Sequence, residues 1–283
     1  MARRSALPLL VLAALLGAPA RGEDPAPRVK ARLSVQSETV VPGAELELGV
    51  VLELAKGWHV YWRQPGESGA PPQVKLELPP DLEQTGPVRW PAPERLVISG
   101  GLINHVYEGV AVLLVPVRVK PEARADGAAR KVRGKVSWLV CDADICVAGE
   151  AALELSLIVV APGTAPAEPG PDAPALAKAH QALPRAPREG ELAVSWEGTK
   201  LRLEVPGARE LTFFPDAPAE HPPADMSGTH AQGARLELSY PAALAQAPAA
   251  RITGHLRARV GEGEVHLWVE TPGPGATGDR RGR

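Results

Sequence analysis

Polar and apolar residues alternate along much of this chain, with the period of two that is typical of half-buried β-strands. Such stretches lie at residues 30–36, 44–54, 74–78, 132–140 and 153–157. Residues 110–119 are instead almost continuously apolar, which predicts a central strand buried on both faces. Because half-buried strands need a second sheet over their apolar faces, the pattern predicts an all-β sandwich.

A change of composition divides the chain into two β regions. Residues 161–174 are rich in Pro, Ala and Gly and predict a linker between a first domain at 28–160 and a second at 185–270. One or two helical turns are expected within 176–183, and a disordered tail at 271–283. Short strands are predicted in the second, smaller β-sandwich at 192–196, 201–205, 234–238, 252–260 and 265–269.

The first twenty residues have the pattern of a signal peptide. Arg3 and Arg4 precede an apolar run at 7–16, and Ala18 and Ala20 supply the small residues that a signal peptidase reads. An uncleaved anchor is the alternative, but the run is short for a membrane span. Export to the periplasm, without stable membrane insertion, is therefore the expectation.

Composition, charge and the absence of certain motifs argue against several classes of function. The chain has 31 Pro and 28 Gly among 283 residues, and its 31 basic and 33 acidic residues give a formal net charge of -2. The absence of a basic block speaks against nucleic-acid binding. Neither a nucleophile-elbow motif nor a phosphate-binding glycine loop is present.

The two cysteines, Cys141 and Cys146, are separated by four residues. The alternation of 132–140 leads into Cys141 and resumes after Cys146, which predicts that the pair lies where a strand ends and a hairpin-like connection returns. Three interpretations stay open on the residues alone. The pair is a structural disulfide, a redox-active disulfide, or a copper or zinc site completed by His59 or His105.

Three segments carry a resemblance to a known family. They are Gly-Trp-His-Val-Tyr-Trp at 57–62 with Pro-Gly-Glu-Ser-Gly at 65–69, Trp-Pro-Ala-Pro-Glu-Arg at 90–95 with Asn104 and Tyr107-Glu108-Gly109, and Trp-Leu-Val-Cys at 138–141 with Ile145-Cys146. In order and spacing, about residues 30 to 160 resemble the periplasmic N-terminal domain of the thiol:disulfide interchange protein DsbD, particularly its ScsB-like branch. Residues 191–270 resemble the second β domain of that branch more weakly.

The resemblance implies an immunoglobulin-like sandwich whose redox-active disulfide passes electrons between proteins, with no other cofactor. It implies that Cys146 exchanges with a thioredoxin-like or membrane thiol:disulfide partner, and that Cys141 resolves the mixed disulfide. A cap loop that shields the sulfurs is expected at Pro91, Ala92, Pro93, Glu94, Arg95 and Leu96. Because the chain carries no polytopic electron-conducting domain and no thioredoxin-like Cys-x-x-Cys domain, the expectation is that electrons come from a separate membrane protein or that the relay role is lost.

Two further sets of residues are candidates for roles near the cysteines. Asp142 and Asp144 are expected either to raise the pKa of a neighbouring thiol or merely to cap a turn. Tyr61, Trp62 and Tyr107 are candidates for a partner face, since aromatic residues anchor interfaces. Thiol-disulfide relay is therefore the leading hypothesis, and a scaffold with a static disulfide and a copper-handling protein are the alternatives.

Overall fold

The computed structural model describes residues 28–165, 167–216, 222–247 and 249–274. The signal peptide expected at 1–20 and most of the expected tail lie outside this part of the chain. No helix in the described ranges is long and apolar enough to cross a membrane.

The described ranges contain one α-helix, α1 (Ala173–Gln181), and are otherwise built mainly of β-strands. The strands are β1 (Val29–Ser34), β2 (Thr39–Val40), β3 (Glu45–Leu54), β4 (His59–Gly66), β5 (Gln73–Glu77), β6 (Leu82–Gln84), β7 (Glu94–Val97), β8 (Ile103–Glu108), β9 (Val110–Val119), β10 (Ala129–Cys141), β11 (Cys146–Val159), β12 (Ala193–Glu197), β13 (Lys200–Glu204), β14 (Ala208–Pro215), β15 (His230–Gln232), β16 (Arg235–Ser239), β17 (Arg251–Val260) and β18 (Gly263–Pro272).

Strands β1 to β11 form a sandwich of two sheets, which we call the N-terminal sandwich. One sheet has the order β1-β3-β9-β6, and the other has the order β2-β11-β10-β4-β8-β7, with β5 also paired to β10. Between the sheets lies a core that includes Leu48, Leu52, Trp62, Leu113 and Leu157, all fully buried. The all-β immunoglobulin-like prediction is confirmed for this part of the chain.

Strand β9 is buried on both faces, as its continuous apolar sequence predicts. Leu113 and Val115 point into the sandwich core, whereas Val112 and Leu114 point to the opposite face. There they contact Leu176 and neighbouring apolar residues of α1. A helix on the outer face of the sheet is thus the reason why β9 lacks polar alternation.

Strands β12 to β18 form a second, smaller sandwich, which we call the C-terminal sandwich. A sheet of order β12-β13-β16 faces a sheet of order β15-β14-β17-β18. Its core contains Leu201, Phe213, Leu236, Leu256 and Leu267. The expected start of the tail is wrong by two residues, because β18 continues to Pro272, whose carbonyl accepts a hydrogen bond from the Trp196 indole at 2.9 Å.

The segment expected to be an extended linker is attached to the N-terminal sandwich at several of its described positions. The backbone N–H of Ala167 donates to the Thr39 hydroxyl at 2.7 Å, and Asp172 accepts a hydrogen bond from Arg32 at 2.6 Å. Helix α1 then begins at Ala173, earlier than its apolar residues alone indicate, with a proline in its first turn. The connection between the two sandwiches is therefore packed and only partly extended.

Aromatic and histidine side chains fill the contact between the two sandwiches. Phe214 of β14 inserts into the N-terminal core, with its ring centroid 6.1 Å from Trp62 and 5.1 Å from His105. On its other side His255 lies 6.0 Å away, and its Nε2 is 3.1 Å from Nδ1 of His266. Burial lowers the pKa of all three histidines, that of His105 to about 4, so they are neutral at neutral pH.

We expect the protein to lose stability as the pH falls from 6.5 to 4. Unfolded His105 binds a proton near pH 6.5 while the folded residue does so only near 4, so the unfolded state gains protons first in this range. Because of His105, the free energy of unfolding is roughly 3 kcal/mol higher above pH 6.5 than it is below pH 4.

Urea unfolding at a series of pH values measures this effect. In a His105→Phe variant the loss of stability on acidification should be smaller, while the contributions of His255 and His266 remain. An unchanged slope of unfolding free energy against pH in that variant would contradict the assignment.

Candidate functional site

The two cysteines close the longest hairpin of the N-terminal sandwich. Strands β10 and β11 pair through thirteen consecutive positions, from Ala129 opposite Ile158 to Cys141 opposite Cys146. The sulfur atoms form a disulfide, with the two Cα atoms 4.1 Å apart. The structure thus places the pair at the end of a strand where a hairpin returns, as the alternation predicts.

The turn between the cysteines is held by one carboxylate. Oδ1 of Asp142 accepts hydrogen bonds from the backbone N–H groups of Asp144, at 2.8 Å, and Ile145, at 2.9 Å. These bonds hold the pKa of Asp142 below its ordinary value, the bond from Ile145 having the largest effect. The turn-capping role expected of Asp142 is therefore observed, while an effect of either carboxylate on a thiol pKa stays a prediction.

The two sulfur-bearing residues differ sharply in exposure. Cys141 is buried with 1 % of its surface exposed, whereas Cys146 is exposed beside Ile145, which is 51 % exposed. An incoming thiolate must reach a sulfur atom along the S–S axis to exchange with it. In this arrangement Cys146 is the exposed residue of the disulfide, and Cys141 is the residue that the fold buries.

Cys141 lies in a small apolar cluster on the outer face of its sheet. Tyr61 and Val106 form this cluster with Cys141, and Leu96 and Leu139 pack against it. The Tyr61 hydroxyl donates a hydrogen bond to the Cys141 sulfur over 3.1 Å. Burial raises the pKa of Tyr61, so its hydroxyl keeps its proton and remains a donor.

His59 lies on β4 directly opposite Cys141. Its ring meets that of Tyr61 edge-on at 5.4 Å, and burial lowers the pKa of His59, although Glu108 and Asp142 oppose the effect. His59 and His105, the two histidines considered for a metal site, are both buried within strands. Within the described residues no group of three or more His, Cys, Asp or Glu could hold a metal ion.

The Pro-Gly-Glu-Ser-Gly segment at 65–69 fixes the loop beside Tyr61. Gly69 has a φ of +95°, and a Cβ atom there would overlap the Tyr61 ring. The Glu67 carboxylate accepts a hydrogen bond from the backbone N–H of Ile103 at 2.7 Å, and the Ser68 hydroxyl donates to the buried Asn104 side chain at 3.1 Å. This segment therefore ties β4 to β8 and leaves room for the tyrosine beneath the disulfide.

The residues of the expected cap divide into three groups. Leu96 packs against the cluster that Tyr61 and Val106 form with Cys141. Pro91 and Pro93 are buried, and the Pro91 carbonyl accepts a hydrogen bond from the Tyr107 hydroxyl at 2.7 Å. Ala92, through its backbone N–H, and Glu94 and Arg95, through their side chains, form hydrogen bonds to residues outside the N-terminal sandwich.

The aromatic residues expected at a partner face are not at the surface. Tyr61 is 3 %, Trp62 is 0 % and Tyr107 is 8 % exposed. The interpretation is corrected here: Trp62 and Tyr107 pack in the sandwich core, and Tyr61 lies beneath the disulfide, because rings of this size bury more apolar area inside the fold. The large apolar side chain exposed next to the disulfide is Ile145.

Sequence reasoning missed two of the residues that surround Cys141, namely Val106 and Leu139. Both can be predicted from the rule that successive residues of a strand face opposite sides of the sheet. The core positions of β10 include Val132, Val136 and Val140, so Leu139 and Cys141 must face the other side of the sheet. Val106 follows in the same way, because it is paired with Tyr61 across β4 and β8.

We expect a Tyr61→Phe variant to raise the pKa of the Cys141 thiol. A hydrogen bond to a charged group contributes about 1.5 kcal/mol, which changes a pKa by about one. The measurement is thiolate absorbance against pH in a Cys146→Ser background, where Cys141 is the remaining thiol. A Tyr240→Phe variant is the matched control, because this buried hydroxyl lies in the C-terminal sandwich and has no hydrogen-bond partner. Equal Cys141 pKa values in the two variants would contradict the role of Tyr61.

Comparison with solved structures supports the fold. The crystal structure of the N-terminal periplasmic domain of ScsB from Proteus mirabilis matches with a TM-score of 0.53 and 15% identity, over 85% of this chain and 92% of that chain. The chaperones YadV (10% identity, 84% and 99% of the two chains) and DraB from E. coli (15% identity, 86% and 98%) match with TM-scores of 0.22 and 0.23, which are too low to indicate a common fold. A comparison with curated proteins returned no match.

The family comparison agrees with the segments that carry the resemblance. Residues 29–157 match the model described as "Thiol:disulfide interchange protein DsbD, N-terminal". This range contains strands β1 to β10 and most of β11, with both cysteines and the residues packed around them. Residues 29–157 of this chain therefore form a DsbD N-terminal-like domain.

Proposed function

We propose that the Cys141–Cys146 pair cycles between disulfide and dithiol and relays electrons between a membrane reductant and periplasmic protein acceptors. The observation that carries this proposal is the asymmetry of the two sulfurs. One is exposed at the tip of a hairpin, and the other is buried against a hydrogen-bond donor. The family match over 29–157 points to the same chemistry of thiol-disulfide interchange.

The exchange requires two successive attacks. In the reduced protein, the Cys146 thiolate attacks one sulfur of an acceptor disulfide, and the other acceptor sulfur leaves as a thiolate and takes up a proton. Cys141 then loses its proton and attacks the Cys146 sulfur, which releases the acceptor's second sulfur. The acceptor gains two electrons and two protons, and this protein is left with the Cys141–Cys146 disulfide. A membrane thiol:disulfide partner would return the pair to the dithiol form.

A purely structural disulfide explains the position of the pair less well. The β10–β11 hairpin already has twelve other paired positions, so its register does not depend on the disulfide. A loop that spans five positions in sequence gives a disulfide only roughly 2 kcal/mol by the chain-entropy argument. Exposure of Cys146 adds to this argument, because it leaves the bond open to reductants.

The reduction potential of the Cys141–Cys146 pair distinguishes a redox relay from a structural disulfide. We expect the pair to equilibrate with glutathione or dithiothreitol buffers at a potential of roughly -120 to -270 mV, the range of known oxidoreductases. The measurement counts alkylated thiols on the folded mature protein. A potential well below about -300 mV, or reduction only after unfolding, would identify a structural disulfide and refute the proposal.

Partner trapping tests the separate roles of the two sulfurs. A Cys141→Ser variant should accumulate a mixed disulfide through Cys146 with a thioredoxin-like acceptor, because no second thiol can resolve it. The matched Cys146→Ser variant should accumulate far less, since Cys141 is buried. Non-reducing electrophoresis shows both outcomes, and equal trapping by the two variants would overturn the assignment of Cys146 as the exchanging thiol.

A further inference from the structure

Strand β11 forms an open edge of the sheet that carries the disulfide. Within the described part of the chain, β11 pairs with β10 on one side, whereas on its other side it pairs only with β2, at Ile158 and Val159. Residues 146–157 therefore have one neighbouring strand. At about 3.3 Å per residue, this open edge is roughly 36 Å long, and it starts at Cys146.

The backbone groups of every second residue of β11 point to the open edge. At the turn, the N–H of Asp142 donates to the carbonyl of Ile145 at 3.0 Å, so in an antiparallel ladder the adjacent cysteine pair is the kind without backbone hydrogen bonds between its members. At the other end, the N–H of Ile158 donates away from β10, to the carbonyl of Glu38 at 2.8 Å. Both ends give the same alternation. The N–H and C=O groups that point outward are those of Cys146, Ala148, Glu150, Ala152, Glu154 and Ser156.

This edge lacks the features that usually prevent another strand from pairing. Open edges are commonly protected by proline, by β-bulges or by lysine side chains. Residues 146–157 contain no proline, lysine or arginine, and their register with β10 is uninterrupted. Glu150 and Glu154 form ion pairs with lysines of β10, namely Lys135 at 2.6 Å and Lys131 at 2.8 Å. The edge can therefore accept a β-strand from another molecule.

Side chains on the two faces of the edge define the strand that fits beside it. Val147, Ala151 and Leu155 are partly buried against the sandwich core. An added strand would extend this core with apolar residues at every second position. Both charged residues of the open edge, Glu150 and Glu154, are acidic and exposed, and opposite charges pair favourably across strands. The complementary strand is therefore apolar at alternate positions and carries lysine or arginine between them.

We propose that residues 146–157 are the docking edge for an extended, cysteine-bearing segment of the exchange partner, which adds to the sheet as a further strand. The inference rests on the proposed function and names the kind of segment that the partner supplies. Backbone hydrogen bonds give the segment affinity, and its alternating apolar and basic side chains give selectivity. Because the edge starts at the exposed Cys146, strand addition holds the cysteine of the partner beside that sulfur and raises the rate of exchange by proximity.

The test uses the full mature chain with Cys141→Ser, so that Cys146 is the one thiol. The probe is a synthetic peptide in which alternating valine and lysine residues lead into a C-terminal cysteine, the order that an antiparallel strand requires. Its cysteine is joined to glutathione as a mixed disulfide. The Cys146 thiolate attacks the peptide sulfur, and glutathione leaves as a thiolate and takes up a proton. Mass spectrometry measures the rate at which the protein–peptide disulfide forms.

Two versions of the peptide, N-methylated at every second residue in opposite phase, form a matched pair. A strand donates hydrogen bonds to β11 from alternate N–H groups only, so one version loses these bonds and the other keeps them. We expect their rates to differ by roughly tenfold, the effect of losing two or more hydrogen bonds. Equal rates would refute strand addition, and this comparison leaves the protein itself unaltered.

A change in the edge tests the same contact from the protein side. Ala152→Pro removes an outward N–H that the pairing with β10 does not use, which is the position where an edge strand tolerates proline. It should slow formation of the peptide adduct roughly fivefold relative to Ala152→Val, which keeps the N–H. Equal rates in these two variants would contradict the inference.

The reaction of Cys146 with glutathione disulfide, which adds no strand, separates this inference from the proposed function. If Cys146 reacts with glutathione disulfide while the two methylated peptides react equally, the docking edge is refuted and the relay is unaffected. If Cys146 reacts with neither reagent, both proposals fail. A dimer of the chain that Ala152→Pro dissociates would assign the edge to a second copy and would likewise overturn the inference.

Discussion

The register of the β10–β11 hairpin is the constraint on which the candidate site depends. Thirteen paired positions end with Cys141 opposite Cys146, and the strand period of two sends Val140 into the core and Cys141 to the outer face. A shift of one residue would bury the disulfide inside the sandwich and expose the valines of β10. The large free energy of the core therefore fixes on which face the sulfur chemistry takes place.

The outer face then makes the two sulfurs unequal. Tyr61 of β4 and Val106 of β8 form a buried cluster with Cys141, and Leu96 of β7 packs against that cluster, while Cys146 is exposed on the returning strand. Burial raises the pKa of Tyr61, so its hydroxyl keeps its proton and donates a hydrogen bond to the buried sulfur. The two cysteines thus differ in exposure, and the hydrogen bond from Tyr61 is made to the sulfur of the buried one.

The contact between the sandwiches links this face to the rest of the molecule. Phe214 enters the N-terminal core beside Trp62 and His105, and the same contact contains Arg257, which donates a hydrogen bond to the Glu94 carboxylate. Three histidines in this contact are neutral at neutral pH because burial lowers each pKa. This contact therefore joins the segment at 92–95 to residues of the C-terminal sandwich.

The sequence by itself determined the all-β architecture, the doubly buried β9, the position of the cysteines at a hairpin end and the family of residues 29–157. These features follow from local periodicity and from motifs that are short in sequence. Tertiary structure decided what depends on long-range packing, such as the burial of Tyr61, Trp62 and Tyr107, which the sequence placed at a partner face. It also decided that the linker is packed and that the cap touches the C-terminal sandwich, because partners more than 160 residues apart, such as Glu94 and Arg257, leave no periodic signal in the chain.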